Sequence, residues 1–346
     1  MISTIDTTNP ALEKFYSTYY FFSYSSLNKL LYSADSFYKW YILKDRSDSL
    51  DSYLVEGRVI HCLLLDKDKF NEQFIIMPGD VPGVSNKKII ESVYSRWKYD
   101  GLPTDTLKNY EQVILQWLVD NNLHQSLKDD KDLTKTDAKT GDQKRLEKVL
   151  TIKANEYFDY LKLSGKKDVI SQETYDYCCK AVDIIKSDKK ITELLKIGDS
   201  GFELLEVHNE KDLSCTLQKY PFGLKGIVDN YVIDHNAKTV TINDLKTTSK
   251  TLREFKDTVD YYKYWMQGAI YIRLVQANHP ETVNYKFSLN FIVFDKYQQV
   301  YPFPVSEQSM IEWQNKLEEI LNIAKYHYTN KDYKLPYEFA LNQIIL

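Results

Sequence analysis

Asp229, Asp244 and Lys246 are the residues of this chain whose types and spacing could do chemistry. They fall on two β-branched runs, residues 225–234 and 239–248, joined by the polar link His235-Asn236-Ala237-Lys238. That pattern predicts a β-hairpin. Strand alternation sets Asp244 and Lys246 on one face and Leu245 on the other, with Asp229 of the partner strand in reach of the first. Two carboxylates and an ammonium are a costly way to build a core, because buried charge must be paired or bound to metal. They suit a site that holds a divalent cation and orients a water beside a phosphodiester. As a plain pair on a solvated edge strand, Asp244 and Lys246 would contribute only ~0–1 kcal/mol.

Three further signals are weaker taken singly. His61 lies in an apolar run, residues 52–65, that reads as a helix; a lone histidine there is more often packed core than ligand. Glu206 sits on a strand beginning near residue 202, and Glu203 or Glu210 could fill the same role. Gln267 and Tyr271 are four apart, hence on one face of a long helix predicted over 255–275. Polar tips in such a helix can simply be satisfied core groups.

The remaining elements must position these residues. Serines 23, 25 and 26 offer N-caps to an amphipathic run with Leu27, Leu30 and Leu31 on one face. A second short helix follows Ser33-Ala34-Asp35, and residues 74–77 read as extended, ended by Pro78-Gly79. From about 86 to 197 the pattern is helical, at 110–119, 157–163 and 173–185, the last continuing to a stop at Gly198. Residues 126–143 read as a solvated, mobile loop. Asp130, Asp132 and Thr134 alternate as in a calcium loop, but Lys135 and Gly141 occupy its glycine and glutamate positions, so that motif is rejected. Strands are expected at 285–294 and 300–305, and a last helix at 310–328. The order implies an α/β or α+β fold around one sheet. The expected organisation is a single domain, 1–346, with a mainly helical insertion at 86–198 and the core sheet in 199–346.

With 346 residues, 43% hydrophobic and 27% charged, the chain can bury a full core and is not of disordered composition. No apolar run approaches the ~18–20 residues of a membrane span, and the N-terminus lacks a basic region followed by an apolar segment, so a cytoplasmic location is expected. Four cysteines without CxxC spacing argue against zinc or an iron–sulfur cluster. The net charge of -4 means that any nucleic-acid groove must be a local basic patch. Lys250, Arg253 and Lys256, just past the Asp-x-Lys strand, are the candidates to line one.

The order histidine, carboxylate, Asp, Asp-x-Lys, Gln-x-x-x-Tyr resembles the PD-(D/E)XK nuclease superfamily. Within it the chain is similar to RecB-type nuclease domains and RecE-like phage recombination exonucleases. Ser23-Tyr24-Ser25-Ser26-Leu27 looks like that branch's "S-x-S-x-L" helix, and Gly57-Arg58-Val59-Ile60-His61 like its "G-x-x-x-H" helix. Residues 170–197 resemble the paired helices before the core. Gly226-Ile227-Val228-Asp229 and Asp244-Leu245-Lys246-Thr247-Thr248 are the most specific pieces.

The resemblance implies a restriction-endonuclease-like core, a mixed sheet flanked by helices. It implies that Asp229 and Asp244 bind Mg2+, with Mn2+ able to substitute, that His61 is a further ligand, and that the Leu245 carbonyl completes the set. Lys246 would position the attacking water, and Glu206 would support a second metal or a water. Gln267 and Tyr271 would orient Lys246 or touch a DNA phosphate. The implied activity is 5′-to-3′ digestion at double-stranded DNA ends, leaving a 3′ single strand for an annealing protein. A trimeric or tetrameric ring, acting in the host cytoplasm if phage-encoded, is implied by analogy. A structure-specific endonuclease and a catalytically inactive DNA-end-binding protein are the alternatives.

Overall fold

The hairpin expected at the centre of the chain forms, and its two strands diverge where the chemistry-bearing residues lie. The computed structural model describes residues 10–45, 52–165, 167–197 and 204–341. Its strands are β1 (Phe21–Phe22), β2 (Phe74–Ile76), β3 (Asp168–Ile170), β4 (Leu205–Thr216), β5 (Gly223–Asp234), β6 (Thr239–Thr248), β7 (Lys286–Asp295) and β8 (Val300–Pro304). Two compact units result, one drawn from residues up to Asp66 together with those from Lys180 onward, the other from Lys67–Cys179.

The first unit holds a mixed six-stranded sheet in the order β1-β5-β6-β7-β8, with β4 pairing β5. The turn between β5 and β6 is closed by Asp234, whose Oδ1 accepts from the backbone N–H of Asn236 and Ala237 at 3.0 and 2.8 Å. Along one edge β5 is lined by β4. Along its other edge it pairs with β6 only over residues 230–234 and with β1 only at Gly223 and Leu224. The stretch 225–229 is therefore open on that side. Strand β6 runs on, paired in parallel with β7 as far as Thr248↔Asp295. The opening leaves the Leu245 N–H facing Asp229 rather than a strand partner.

Just behind the opening, four asparagines stand in register across four strands: Asn209↔Asn230, Asn230↔Asn243 and Asn243↔Asn290. Their amides chain together, Asn290 to Asn243 at 3.0 Å, Asn243 to Asn230 at 2.7 Å and Asn230 to Asn209 at 2.7 Å. Asn243 and Asn230 also donate to the carbonyls of Leu194 and Leu195, the last residues of the helix Lys189–Leu195. Those carbonyls have no intrahelical partner, so the ladder satisfies a helix end and fixes strand register at once. Asn243 is fully buried. Asn243→Ala should destabilise the protein by about 3 kcal/mol, because it strands the amide groups of Asn230 and Asn290 and a helix carbonyl away from water. A urea midpoint within experimental error of wild type would contradict that account.

The helix Tyr264–Asn278 packs on the opposite face, where Met266, Ile270 and Leu274 join Val240, Ile242 and Leu289 in one core. Burial of such side chains stabilises by about 1.5–3 kcal/mol each. Gly268 permits the contact: a Cβ there would lie 2.6 Å from Leu289 Cδ2. Outside this helix runs Glu307–Asn330, joined to it by Arg273, which binds Gln314 and Glu318 at 2.8 Å each.

The predicted single helix over 255–275 is instead two, Phe255–Tyr261 and Tyr264–Asn278. Lys263 adopts a left-handed backbone (φ 58) and ends the first without any glycine to announce it. The predicted continuous run to 197 also breaks, because the Asp188 side chain caps the N-terminus of Lys189–Leu195. Gly198 and residues 202–203 lie outside the described residues.

The second unit has its own core, in which Ile89, Val93, Ile114, Leu118, Val149 and Phe158 are fully buried. It begins and ends earlier than the 86–198 segment expected: β2 pairs in parallel with β3 and draws in the residues before 86. The stretch expected to be mobile, 126–143, is tied down. Arg145 donates to the carbonyls of His124 and Leu127, and Lys144 pairs with Asp130 at 2.7 Å. Asp129, Asp130 and Asp132 all accept backbone N–H groups. Among the described residues no helix is long and apolar enough to cross a membrane.

Candidate active site

The opening between β5 and β6 gathers five acids and bases from four elements. Asp229 Oδ2 accepts the Leu245 N–H at 2.7 Å. His61 arrives on the helix Ser52–Leu65, with Nδ1 at 3.7 Å from that same oxygen and 3.4 Å from Glu210 Oε1 of β4. Gly57, one turn earlier, allows the approach, since a Cβ there would stand 2.9 Å from Thr247 Oγ1 of β6. Lys246 Nζ closes on Asp244 Oδ2 and lies 3.3 Å from the Leu245 carbonyl. Gln267 donates to the Tyr271 hydroxyl at 2.8 Å. Both line a cleft of about 400 Å³, together with Ser23, Tyr24 and Lys225.

Burial sets the electrostatics. Asp244 is 0% exposed, and its carboxyl is pushed up to about 6 by desolvation; Lys246 works against the rise and Asp229 adds to it. Asp229 is raised by burial too, opposed by His61 and Lys246. Burial disfavours protonation of His61 and Lys246, but Asp229 and Glu210 overcome it for the histidine and Asp244 and Asp229 for the lysine, so both are raised. The Tyr271 phenol is held well above its usual range by burial and by the charges of Asp229 and Asp244. It is a neutral hydroxyl at any working pH.

The carboxylate oxygens at the site are disposed to hold a cation. Asp244 Oδ1 is buried and accepts no hydrogen bond, although such atoms are rarely left orphaned, and the buried Glu210 Oε1 has only the His61 ring, at a long 3.4 Å. His61, Glu210 and Asp229 each present a ligand atom within 4.8 Å of the others. Adjacent ligands of an octahedral ion at about 2.1 Å lie about 3 Å apart, close to the separations seen here. The set fits a hard divalent cation, and the imidazole widens tolerance toward softer ions.

Of the residues expected at the site, His61, Asp229, Asp244, Leu245, Lys246, Gln267 and Tyr271 come together, and Glu206 does not. Its carboxylate is held by His235 Nε2 at 2.8 Å and His208 Nε2 at 3.0 Å, near the hairpin turn. Those hydrogen bonds, His235 first, keep its carboxyl below the usual range. Register is the reason: Asn209 faces Asn230 and Lys211 faces Val228, so Glu210 stands opposite Asp229 while Glu206 pairs Ile233. Glu210 also has a left-handed backbone (φ 45), a conformation that costs a non-glycine residue of order 1–3 kcal/mol and clusters at functional sites. Glu210→Gln should therefore lower metal affinity and cleavage by at least about 10-fold, whereas Glu206→Gln should leave both unchanged. Equal effects of the two substitutions on a metal titration would refute this exchange of roles. Arg253 and Lys256 are exposed on and beside Phe255–Tyr261, and Lys250 is half-buried with its Nζ 5.7 Å from the Tyr261 ring.

A mixed sheet flanked by helices, opened beside an acidic cluster with an adjacent Asp-x-Lys, is the architecture of a nuclease core. The chain belongs to the PD-(D/E)XK nuclease superfamily, whose sequence profile matches residues 123–334, more than half its length. No curated protein matches it. Seven chains among solved structures do. One is a crystal structure from Eubacterium rectale of a protein named as a candidate exonuclease, 12% identical, with a TM-score of 0.45. That alignment covers 94% of this chain and 89% of the other.

Proposed function

We propose that the protein is a Mg2+-dependent DNA exonuclease of the RecE-like, RecB-type branch, degrading one strand of a duplex from its end, 5′ to 3′. The observation that supports it most is the joint placement of His61, Glu210 and Asp229 in ligand reach, beside an Asp244 with an orphaned Oδ1 and a charged Lys246. His61, Glu210, Asp229 and Asp244 Oδ1 would hold the cation, with the Leu245 carbonyl beside them. A bound divalent ion supplies Lewis-acid polarisation of the phosphoryl oxygen and eases ionisation of a water.

The chain's own groups do the rest. Lys246, kept protonated by two carboxylates, cannot serve as a general base; it orients the attacking water and stabilises the charge that develops at phosphorus. The Tyr271 oxygen accepts from Gln267, so its O–H is left to donate to a phosphate oxygen. The 3′ strand left behind suits a single-strand annealing partner, and a ring of three or four subunits would keep the enzyme on its substrate.

The test uses a linear duplex labelled at the 5′ or the 3′ end, with Mg2+ or with EDTA, beside a covalently closed circle. Early release of the 5′ label as mononucleotide with the circle intact is the expected result. Cutting of the circle would replace the exonuclease with an endonuclease. Absence of metal-dependent cleavage would leave a DNA-end-binding protein.

A further inference from the structure

The turn that splits the two helices after β6 carries Tyr261, Tyr262, Lys263 and Tyr264. Their rings form a connected series that begins at the site. Lys246 Nζ lies 4.9 Å from the centroid of Tyr264. The Tyr264 ring stacks on Tyr262 at 5.6 Å and 28°, and Tyr262 meets Tyr261 edge to face at 4.8 Å and 89°. At the outer end Tyr261 is 73% exposed and Tyr262 42%. Cations flank the exposed pair: Lys250 Nζ stands 5.7 Å from the Tyr261 ring, and Lys263 follows in the turn itself. The turn is anchored, because Tyr24 donates its hydroxyl to the Tyr262 carbonyl at 2.5 Å. Lys263 holds its left-handed φ of 58 where glycine would do so without strain, so a side chain is kept at some conformational cost.

Exposed rings are unremarkable when scattered. Two adjacent rings on a fixed turn, flanked by lysines and continuous through a third ring with the ammonium beside the candidate metal site, are a different arrangement. Tyrosine faces accept any nucleobase by stacking, and neighbouring ammonium groups take the backbone phosphates. Bases within a duplex are already stacked on one another, so the ligand such a surface selects is an unpaired base.

Resting on the nuclease reading above, we propose that Tyr261 and Tyr262 form a stacking subsite for an unpaired nucleobase of a single strand, a few nucleotides from the phosphate that reaches Lys246. The subsite captures a frayed or single-stranded end and delivers it to Lys246 and the candidate metal site.

The experiment measures binding of a single-stranded oligonucleotide carrying 2-aminopurine to the full chain, in EDTA so that no cleavage occurs. Wild type should quench the probe. The Tyr261→Ala/Tyr262→Ala variant should lose the quenching and bind about 5- to 150-fold more weakly per stacked base. Tyr261→Phe/Tyr262→Phe should retain both, since the π face and not the hydroxyl is used. Affinity for a duplex with both ends closed by hairpins should not change in either variant. Full quenching and affinity in the alanine variant would overturn the subsite while leaving the nuclease reading intact. Equal weakening toward single strands and closed duplexes would also overturn it, making the tyrosines a general contact. A wild-type chain that cleaves no DNA with Mg2+ and binds no oligonucleotide would overturn both readings together. Unaltered oligonucleotide binding alongside loss of a protein ligand would reassign the surface to a protein partner.

Discussion

Lys246→Ala is expected to lower the rate of phosphodiester cleavage by roughly 10²–10³-fold or more, the size of effect seen when one preorganised transition-state group is removed. The lysine side chain is only 12% exposed and is paired with a carboxylate that is fully buried. Removing one member of a buried pair commonly costs about 3–5 kcal/mol. Here the loss is softened, because Asp244 already titrates at about 6 and can take up a proton in place of the ammonium. A bound divalent ion restores the missing charge, so the variant should bind Mn2+ with nearly wild-type affinity and lose kcat rather than KM. Rates and isothermal titrations on the same preparation separate the cases. Wild-type turnover in the variant would reduce Lys246 to a counter-ion for Asp244.

Asp244→Ala should abolish both cleavage and metal-induced stabilisation. In wild type a cation at 100 times its Kd raises folding stability by about 2.7 kcal/mol. That increment should be pH-dependent. The folded Asp244 carboxyl titrates at about 6, above its ordinary value of 3.8, so the native state binds its proton more tightly than the unfolded chain. The sign follows: the metal-free protein loses stability as pH rises from about 4 through about 6 and loses no more from this group above that. Above pH 6 the ionised carboxylate is free to take a cation, and below it the proton competes. Thermal melts should show a larger Mg2+-induced rise in Tm at pH 7.5 than at pH 5, and none at either pH in Asp244→Ala. A variant with undiminished metal affinity would remove Asp244 from the ligand set.

Much of this site was legible in the sequence for local reasons. β-branched runs and a four-residue turn announce β5 and β6, and alternation alone puts Asp244 and Lys246 on one face. The helix bearing His61 follows from the apolar residues that surround it in 52–65. What was not legible depends on non-local register. Choosing Glu210 over Glu206 requires knowing how β4 slides on β5, which the loop at 217–222 sets and no periodicity reveals. The asparagine ladder was equally hidden, since each asparagine alone reads as a weak point in a strand and only their alignment makes them mutual partners. The break at Lys263 escaped because a non-glycine residue took a left-handed conformation that sequence patterns assign to glycine. That break presents the tyrosines of the proposed stacking subsite.

Metal occupancy of the candidate active site is read most directly by anomalous scattering from crystals of the full chain soaked in Mn2+ at pH 7.5. A strong peak bounded by His61 Nδ1, Glu210 Oε1, Asp229 and Asp244 Oδ1 is expected, and its loss in Asp244→Ala. A well-ordered, Mn2+-saturated crystal with no peak there, or with its peak at Glu206 and His208 instead, would contradict that ligand set.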